Sequence, residues 1–478
     1  MLTRSLLVIT NHQNRPYVTT LLEQSVTAVL VNDPWMNSDW VNSGITTYSY
    51  GDILGNNSFG RGIDGSLLKQ STVDALLGCQ HTYYILDRRR GIRIRDRRDN
   101  YKNSFNYVQF VLEGANKARS ILLSENVNRV IFTSTPHDLE SWLLFHAAYD
   151  LDLPVKAVAE SALPWRGVVK TIVPDRDTGY AVTDVAGKAE PVGSLTDPSP
   201  TTQSYVSLKA SASYQKAEPG YMRRQRIAKP YRIMKKVKNM ISGATSLSWD
   251  GFLEYAQRNW QRRCLWRATN RYSRELPASP FVTVFLHYQP ERTSVPEGGR
   301  YAQQFRIILD LLALLPSGWA VVVKEHPSTF MLEMSRPFRH PRFYAALGDH
   351  ARVVLASPNV SSFALIDESE AVATLTGRVG FEALCRQTPV MVFGDAPYKE
   401  CPGVIDMARG PTRAFVAGDS LAEAKCRLHD GELERYLARV EVCSIGLEEA
   451  QSYGNDRMPP EGIDRVVMSE VVECGCVL

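Results

Sequence analysis

Short apolar runs set between helix-period stretches organise the N-terminal part of the chain. Leu6–Ile9, Thr27–Val31, Arg129–Thr133 and Val155–Val158 are brief apolar segments bounded by polar sequence, which predicts buried parallel strands. Between the last two, Leu139, Trp142, Leu143, Phe145 and Ala147 recur at helical intervals within Asp138–Leu151, so this part reads as strand, crossover helix, strand. Units of that kind build doubly wound sheets. From Pro174 to Thr202 Pro, Gly, Asp, Ser and Thr dominate, which predicts a long loop or insertion. Helical, basic and aromatic sequence from Tyr205 to about Arg274 predicts a connector. The alternation then restarts with strands Phe281–Leu286, Trp319–Val323, Val353–Leu355, Ala371–Thr374 and Val390–Phe393, and helices over Tyr301–Leu315 and from Gly380. The expected division is an N-terminal Rossmann-like domain over 1–204, a basic helical connector over 205–278, a second Rossmann-like domain over 279–420 and a helical segment over 421–478.

Composition agrees with two units and narrows the classes. A chain of 478 residues exceeds the size at which one core usually stops growing. With 44% hydrophobic and 22% charged residues it is globular, and no uninterrupted apolar run reaches the roughly 18 residues of a membrane span. The apolar stretch within Met1–Thr10 is too short for a signal peptide, so a cytoplasmic placement is expected. The eight cysteines are scattered, and Cys474 with Cys476 lacks the second pair a zinc site requires. Reduced thiols are the expected state. The net charge of +4 conceals two basic runs, Arg88–Arg98 and Arg223–Lys238. Such runs are solvated faces or attractors of an anionic membrane surface or anionic glycan. Neither has the aromatic spacing or helix-turn-helix pattern of a nucleic-acid binder.

Chemistry-bearing residues cluster after the strands of the second domain, where open α/β sheets bind ligands. After Phe281–Leu286 comes a loop in which Gln289 offers an amide, Glu291 a carboxylate and Arg292 a bidentate donor, with Pro290 stiffening it. The alternative is a polar loop held by its own caps. After Trp319–Val323 come Lys324 and His326, the latter biased to extended backbone by Pro327. Both could donate to a departing phosphate, a contribution of roughly 3 kcal/mol for a preorganised donor. A core histidine is the competing reading. After Ala371–Thr374, Thr376 and Gly377 precede a helix that contains Gly380 and Glu382, a junction suited to an anion, with Glu382 in reach of a ribose hydroxyl. Simple capping by Thr376 and dipole complementation by Glu382 is the plainer account.

Taken together, His287–Glu291, Lys324–Pro327, Thr376–Glu382 and Pro389–Gly394 resemble the capsule polysaccharide biosynthesis proteins, which include CMP-Kdo-dependent Kdo transferases. The first half carries a weaker echo in Phe132–Asp138. The resemblance implies the α/β GT-B fold, two Rossmann-like doubly wound domains facing a cleft. It implies a glycosyltransferase that moves Kdo or a related acidic sugar from a CMP donor onto a surface polysaccharide or its lipid terminus. The nucleotide sugar would be held by Gln289, Arg292, Lys324, His326, Thr376, Gly377, Gly380 and Glu382, with His326 on the donor phosphate. Acceptor contacts would come from the first domain, at the inner face of the membrane. The donor is then a substrate, and neither cofactor nor metal is implied. Asp150–Asp152 and Asp175–Asp177 have the Asp-x-Asp spacing of metal-dependent transferases but read as surface residues. Retention of anomeric configuration implies a carboxylate nucleophile, Glu291 first, then Asp138 and Glu160. The alternatives are a nucleotide-sugar epimerase, a polyol-phosphate transferase, or a non-catalytic glycan-binding assembly protein.

Overall fold

The computed structural model describes residues 4–9, 26–31, 45–54, 68–79, 81–82, 85, 104–175, 179–186, 197–211, 249–289, 291–330, 339–410, 417–442 and 444–446. The basic runs Arg88–Arg98 and Arg223–Lys238, and Pro290, Asp177, Cys474 and Cys476, lie outside the described residues.

The first sheet contains β1 (Ser5–Ile9), β2 (Val26–Val31), β3 (Thr46–Ser49), β4 (Arg129–Phe132), β5 (Val155–Glu160), β6 (Arg166–Asp175) and β7 (Gly179–Ala186). The second contains β8 (Phe281–Phe285), β9 (Ala320–Lys324), β10 (Val353–Leu355), β11 (Ala371–Thr374), β12 (Val390–Val392) and β13 (Val404–Asp406), and a short β14 (Ile445–Gly446) ends the described chain. In the first sheet β3, β2, β1, β4 and β5 run parallel in that spatial order. The predicted helix appears as Leu139–Asp150 and carries the chain from β4 to β5. Past β5 the sheet turns antiparallel through β6, and β7 pairs with β6 from Val169↔Ala186 to Asp175↔Gly179.

That hairpin corrects the expectation of a long loop over Pro174–Thr202. Gly179 opens β7 with φ +82, while 176–178 and 187–196 lie outside the described residues. Behind it Tyr180 is buried and Val182 packs on the core of the first unit, an alternation that the surrounding Pro, Ser and Asp conceal. The far end of the same segment is also regular: Pro200–Ala210 is a helix whose first turn is capped by Ser199.

The second sheet is entirely parallel in the order β10-β9-β8-β11-β12-β13. From β8 to β12 its strands match the predicted runs to within a residue or two, and β13 answers to no predicted run. They read as continuous apolar segments because helices cover both faces. Val282, Val284, Val321 and Val323 face one core, while Phe281, Phe285, Val322 and Val372 face the other. The strand order reverses between β8 and β11, the position at which open α/β sheets hold ligands beyond their strand ends.

Beyond β13 the chain returns. In the helix Glu432–Val442, Leu433 and Leu437 are fully buried in the second unit, and β14 then pairs antiparallel with β6, Ile445 opposite Gly167. The connection between the two units is therefore double.

Candidate functional site

The loops at the C-terminal ends of β8, β9 and β11 are tied to one another by side chains that the sequence offered as ligand groups. Lys324 is the plainest instance. Its ammonium donates to the carbonyls of Ser357, Pro358 and Val360 at 2.8, 2.9 and 2.8 Å, which uses all three of its protons. Burial lowers its pKa to about 8. Gln289 is likewise occupied at both ends, donating to Ala302 O at 2.8 Å and accepting from Arg339 at 3.2 Å. Thr376 donates its hydroxyl to Thr293 O at 2.9 Å, which holds the loop after β8 against the one after β11.

Arg339, which sequence reasoning missed, is the buried hub of this arrangement. It donates to Glu325 at 2.7 Å, to Gln289 and to His287 O at 3.2 Å each. Glu325 accepts as well from Tyr344, Thr329 and the His326 backbone, so the carboxylate beside the His-Pro turn is fully satisfied. No local pattern marks Arg339, because its partners lie 14 to 52 residues away.

Two histidines emerge with defined roles. His287 is buried, accepts the Thr376 backbone N–H on Nε2 at 3.3 Å, and sits 3.0 Å from Thr374 Oγ1. Burial above all, then the nearby His326 and Arg339, lowers its pKa to about 3, so the ring is neutral. His326 is partly open, and its Nδ1 accepts from Ser328 N at 3.2 Å. Burial lowers its pKa too, outweighing the pull of Glu325. A neutral ring that accepts on Nδ1 carries its proton on Nε2 and is a donor there.

Gly377 caps the helix Arg378–Cys385 in extended backbone, and a Cβ there would come within 3.0 Å of both His287 and Thr374. Gly380, one turn on, faces Tyr398: a Cβ would stand 2.2 Å from its hydroxyl, which donates to Gly377 O. Both glycines thus serve close packing around the helix start. Glu382 pairs with Lys209 at 3.6 Å, and these two line a small cavity with Ser161, Tyr205, Arg378 and Tyr398.

The remaining predicted residues fall at the junction of the two units. Glu160, at the end of β5, meets Arg292 at 3.3 Å and Arg378 at 2.6 Å. Burial alone would raise its pKa, yet Arg378 and Arg292 hold it below the usual carboxylate range. Arg292 also pairs with Glu297 at 3.0 Å, a carboxyl whose pKa burial raises. Alongside, Asp395 accepts from Lys170 and Tyr180, both at 2.8 Å. The structure therefore brings Glu160, Arg292 and Arg378 together and leaves two candidates apart. Asp138 opens the helix Leu139–Asp150, with Ser141 bonded to its backbone. Glu291 is exposed in the turn before Ser294 and accepts from Thr293 at 3.2 Å. Asp150, expected at the surface, is instead buried, bonded to Arg119 at 3.0 Å and to the Lys69 backbone at 2.6 Å. It is the anchor at the C-terminal end of its helix, reached by two segments from which no local spacing could predict it.

Residues 289–429 match the family model described as Capsule polysaccharide biosynthesis protein, which bears out the resemblance over that segment. No curated protein matches the chain. Among solved structures, the KpsC beta Kdo 2,7 transferase of Thermosulfurimonas dismutans is 11% identical, covering 65% of this chain and 79% of that one at a TM-score of 0.29. The KpsC beta Kdo 2,4 transferase of the same organism is 12% identical, covering 73% and 88% at a TM-score of 0.29. A UDP-GlcNAc 2-epimerase from Methanocaldococcus jannaschii, in complex with UDP-GlcNAc and UDP, is 12% identical, covering 98% of each chain at a TM-score of 0.24. Similarity at this level does not bear on what this chain does.

Proposed function

We propose, from the match of residues 289–429 to the capsule polysaccharide biosynthesis family model, that the chain is a glycosyltransferase of surface-glycan assembly that draws on a nucleotide sugar. The observation that supports this most is a coincidence of place: the matched segment starts at Gln289 and takes in the loops after β8, β9 and β11, which flank the switch point of a doubly wound sheet. The donor is a CMP-linked acidic sugar, Kdo or a relative, seated on the second unit. Its departing phosphate receives the Nε2–H of His326, whose neutral tautomer is held by Ser328 N. A donor of that kind needs no proton of its own to change hands as the glycosidic bond breaks. The helix Arg378–Cys385 presents its N-terminal end to the nucleotide, and Glu382 is near the ribose.

The acceptor, a glycan or glycolipid, comes from the side of the first unit. Transfer is metal-independent and retaining, with Glu291, exposed in the loop after β8 of the second unit, as nucleophile. Among the described residues no helix is long and apolar enough to cross a membrane, and contact with the inner membrane face is peripheral in this reading.

His326→Ala should lower kcat by roughly a hundredfold or more while the melting temperature holds. Full turnover in that variant removes the assigned role. Calorimetry with CMP, UDP and GDP tests the donor class, and a preference for a nucleoside diphosphate removes the CMP assignment. Product formed from the nucleotide sugar without an acceptor would make the chain an epimerase.

A further inference from the structure

Glu160 divides its two carboxylate oxygens between guanidinium groups of the other unit. Arg292 Nη2 donates to Oε1 at 3.3 Å and Arg378 Nη2 to Oε2 at 2.6 Å. Arg292 lies in the loop after β8 and Arg378 at the helix start after β11, the neighbouring strands between which the order of the second sheet reverses. Guanidinium forks fit the oxygens of carboxylates and phosphates alike. Two of them converging on one oxyanion therefore form a receptor for either group, and here the protein's own carboxylate fills it.

The receptor is open on one side. Arg378 keeps 37% of its side-chain surface exposed, against 15% for Glu160. Arg378 also lines the cavity that Ser161, the neighbour of Glu160, shares with Lys209 and Glu382. Lys209 there is paired with Glu382 at 3.6 Å, so Arg378 is the cation through which an arriving anion would reach the seat. Glu160 stays ionised against burial because the arginines favour its charge, so it competes as a full anion.

We propose that Glu160 occupies the seat of a ligand oxyanion between Arg292 and Arg378, and that an oxyanion of the sugar donor, its phosphate or the carboxylate of its sugar, takes that seat by displacing Glu160. The naming of the ligand rests on the transferase reading; the displacement itself does not. No covalent bond changes: two charged hydrogen bonds exchange one acceptor for another. Glu160 is then a positioning residue that keeps the clamp assembled when empty and weakens apparent affinity by the fraction of time it holds the arginines.

The test uses full-length protein and calorimetric titration with CMP, inorganic phosphate and the free sugar acid Kdo. Glu160→Gln keeps the shape but loses the competing charge, and should bind at least one of these about tenfold more tightly. Arg378→Gln should bind the same ligand at least tenfold more weakly. Tightening confined to CMP and phosphate assigns the seat to the donor phosphate; tightening confined to Kdo assigns it to the sugar carboxylate. Unchanged or weakened binding of all three in Glu160→Gln overturns the proposal, and a purely structural Glu160 would give that result together with a lower melting temperature. Should Glu160→Gln not fold, Glu160→Asp, too short to reach both arginines, should show the same tightening at smaller size, and its absence is equally fatal. Anion binding that responds as stated without any sugar transfer keeps this inference and removes the transferase reading. Transfer with unresponsive binding does the reverse.

Discussion

Among the described residues, His81, His146 and His287 are buried inside the protein as neutral rings. Burial brings His81 to a pKa of about 4, and His146 and His287 to about 3, against about 6.5 when exposed. His287 accepts Thr376 N–H, which requires the uncharged form, and His81 donates to Gly299 O at 3.1 Å, a bond that favours the charged ring but is outweighed by burial. The unfolded chain therefore takes up protons that the folded one refuses, and folding stability rises with pH through this window. Stability is complete above about pH 6.5 and falls as the pH drops toward 4, by at most about 1.4 kcal/mol per pH unit for each histidine. Urea unfolding at pH 7, 6 and 5 should show the midpoint falling steadily, and His287→Gln should flatten part of that slope. A midpoint constant across this range would mean that the rings are protonated in the fold. The same residue scale explains why the site was only partly legible. Gln289, Lys324 and Thr376 are polar, follow strands and lie in the right loops, which is all a linear reading can weigh. Their hydrogen bonds go inward to Ala302, to Ser357–Val360 and to Thr293, partners whose proximity only the folded chain creates.

At the scale of elements the apolar runs were a good guide wherever strands are buried on both faces, as from β8 to β12. The guide failed at β7, where the sheet becomes antiparallel and one polar neighbour in two is allowed. The helix Arg378–Cys385 shows the opposite case, a short element whose start was readable and whose tolerance for change was not. Gly380 lies inside it, where alanine would gain about 1 kcal/mol of helix propensity. The added methyl would, however, stand 2.2 Å from the Tyr398 hydroxyl, in a buried spot closed by Phe381 and Tyr205. Overpacking of this kind costs about 1 to 3 kcal/mol, so the clash should win. Gly380→Ala should lower thermal stability and, if the proposed nucleotide seat lies at this helix start, also weaken nucleotide binding, since Tyr398 holds Gly377 there. Wild-type values in both measurements would show that Tyr398 can move aside freely.

The whole molecule is joined by charge as well as by chain. Lys170 of β6 and Asp395 after β12 pair at 2.8 Å with only 9% and 20% of their side chains exposed, and Glu160, Arg292, Glu297 and Arg378 continue the seam. Removing one partner of a buried pair costs about 3 kcal/mol or more, whereas removing both charges returns much of it. Lys170→Met should therefore unfold at distinctly lower urea than the parent, and Lys170→Met with Asp395→Asn should recover most of the difference. A double variant no better than the single one would mean that Lys170 acts through packing. Glu160 and Arg292 stand out in the sequence as candidate site residues, but their pairing, and the roles of Lys170, Glu297, Arg378 and Asp395, depend on contacts between the two halves of the chain that no local pattern marks.

The strand β14 places a constraint on how the molecule is made. Its pairing with Gly167 and Arg166 completes the edge of the first sheet next to Glu160, and its residues are Ile445 and Gly446. A ribosome that has released the first unit has not yet built the strand that finishes it. During synthesis the edge of β6 must wait for the entire second unit to emerge, at some 5 to 20 residues per second. Although it is translated first, the N-terminal sheet gains the last of the described strands only after the second unit has been made.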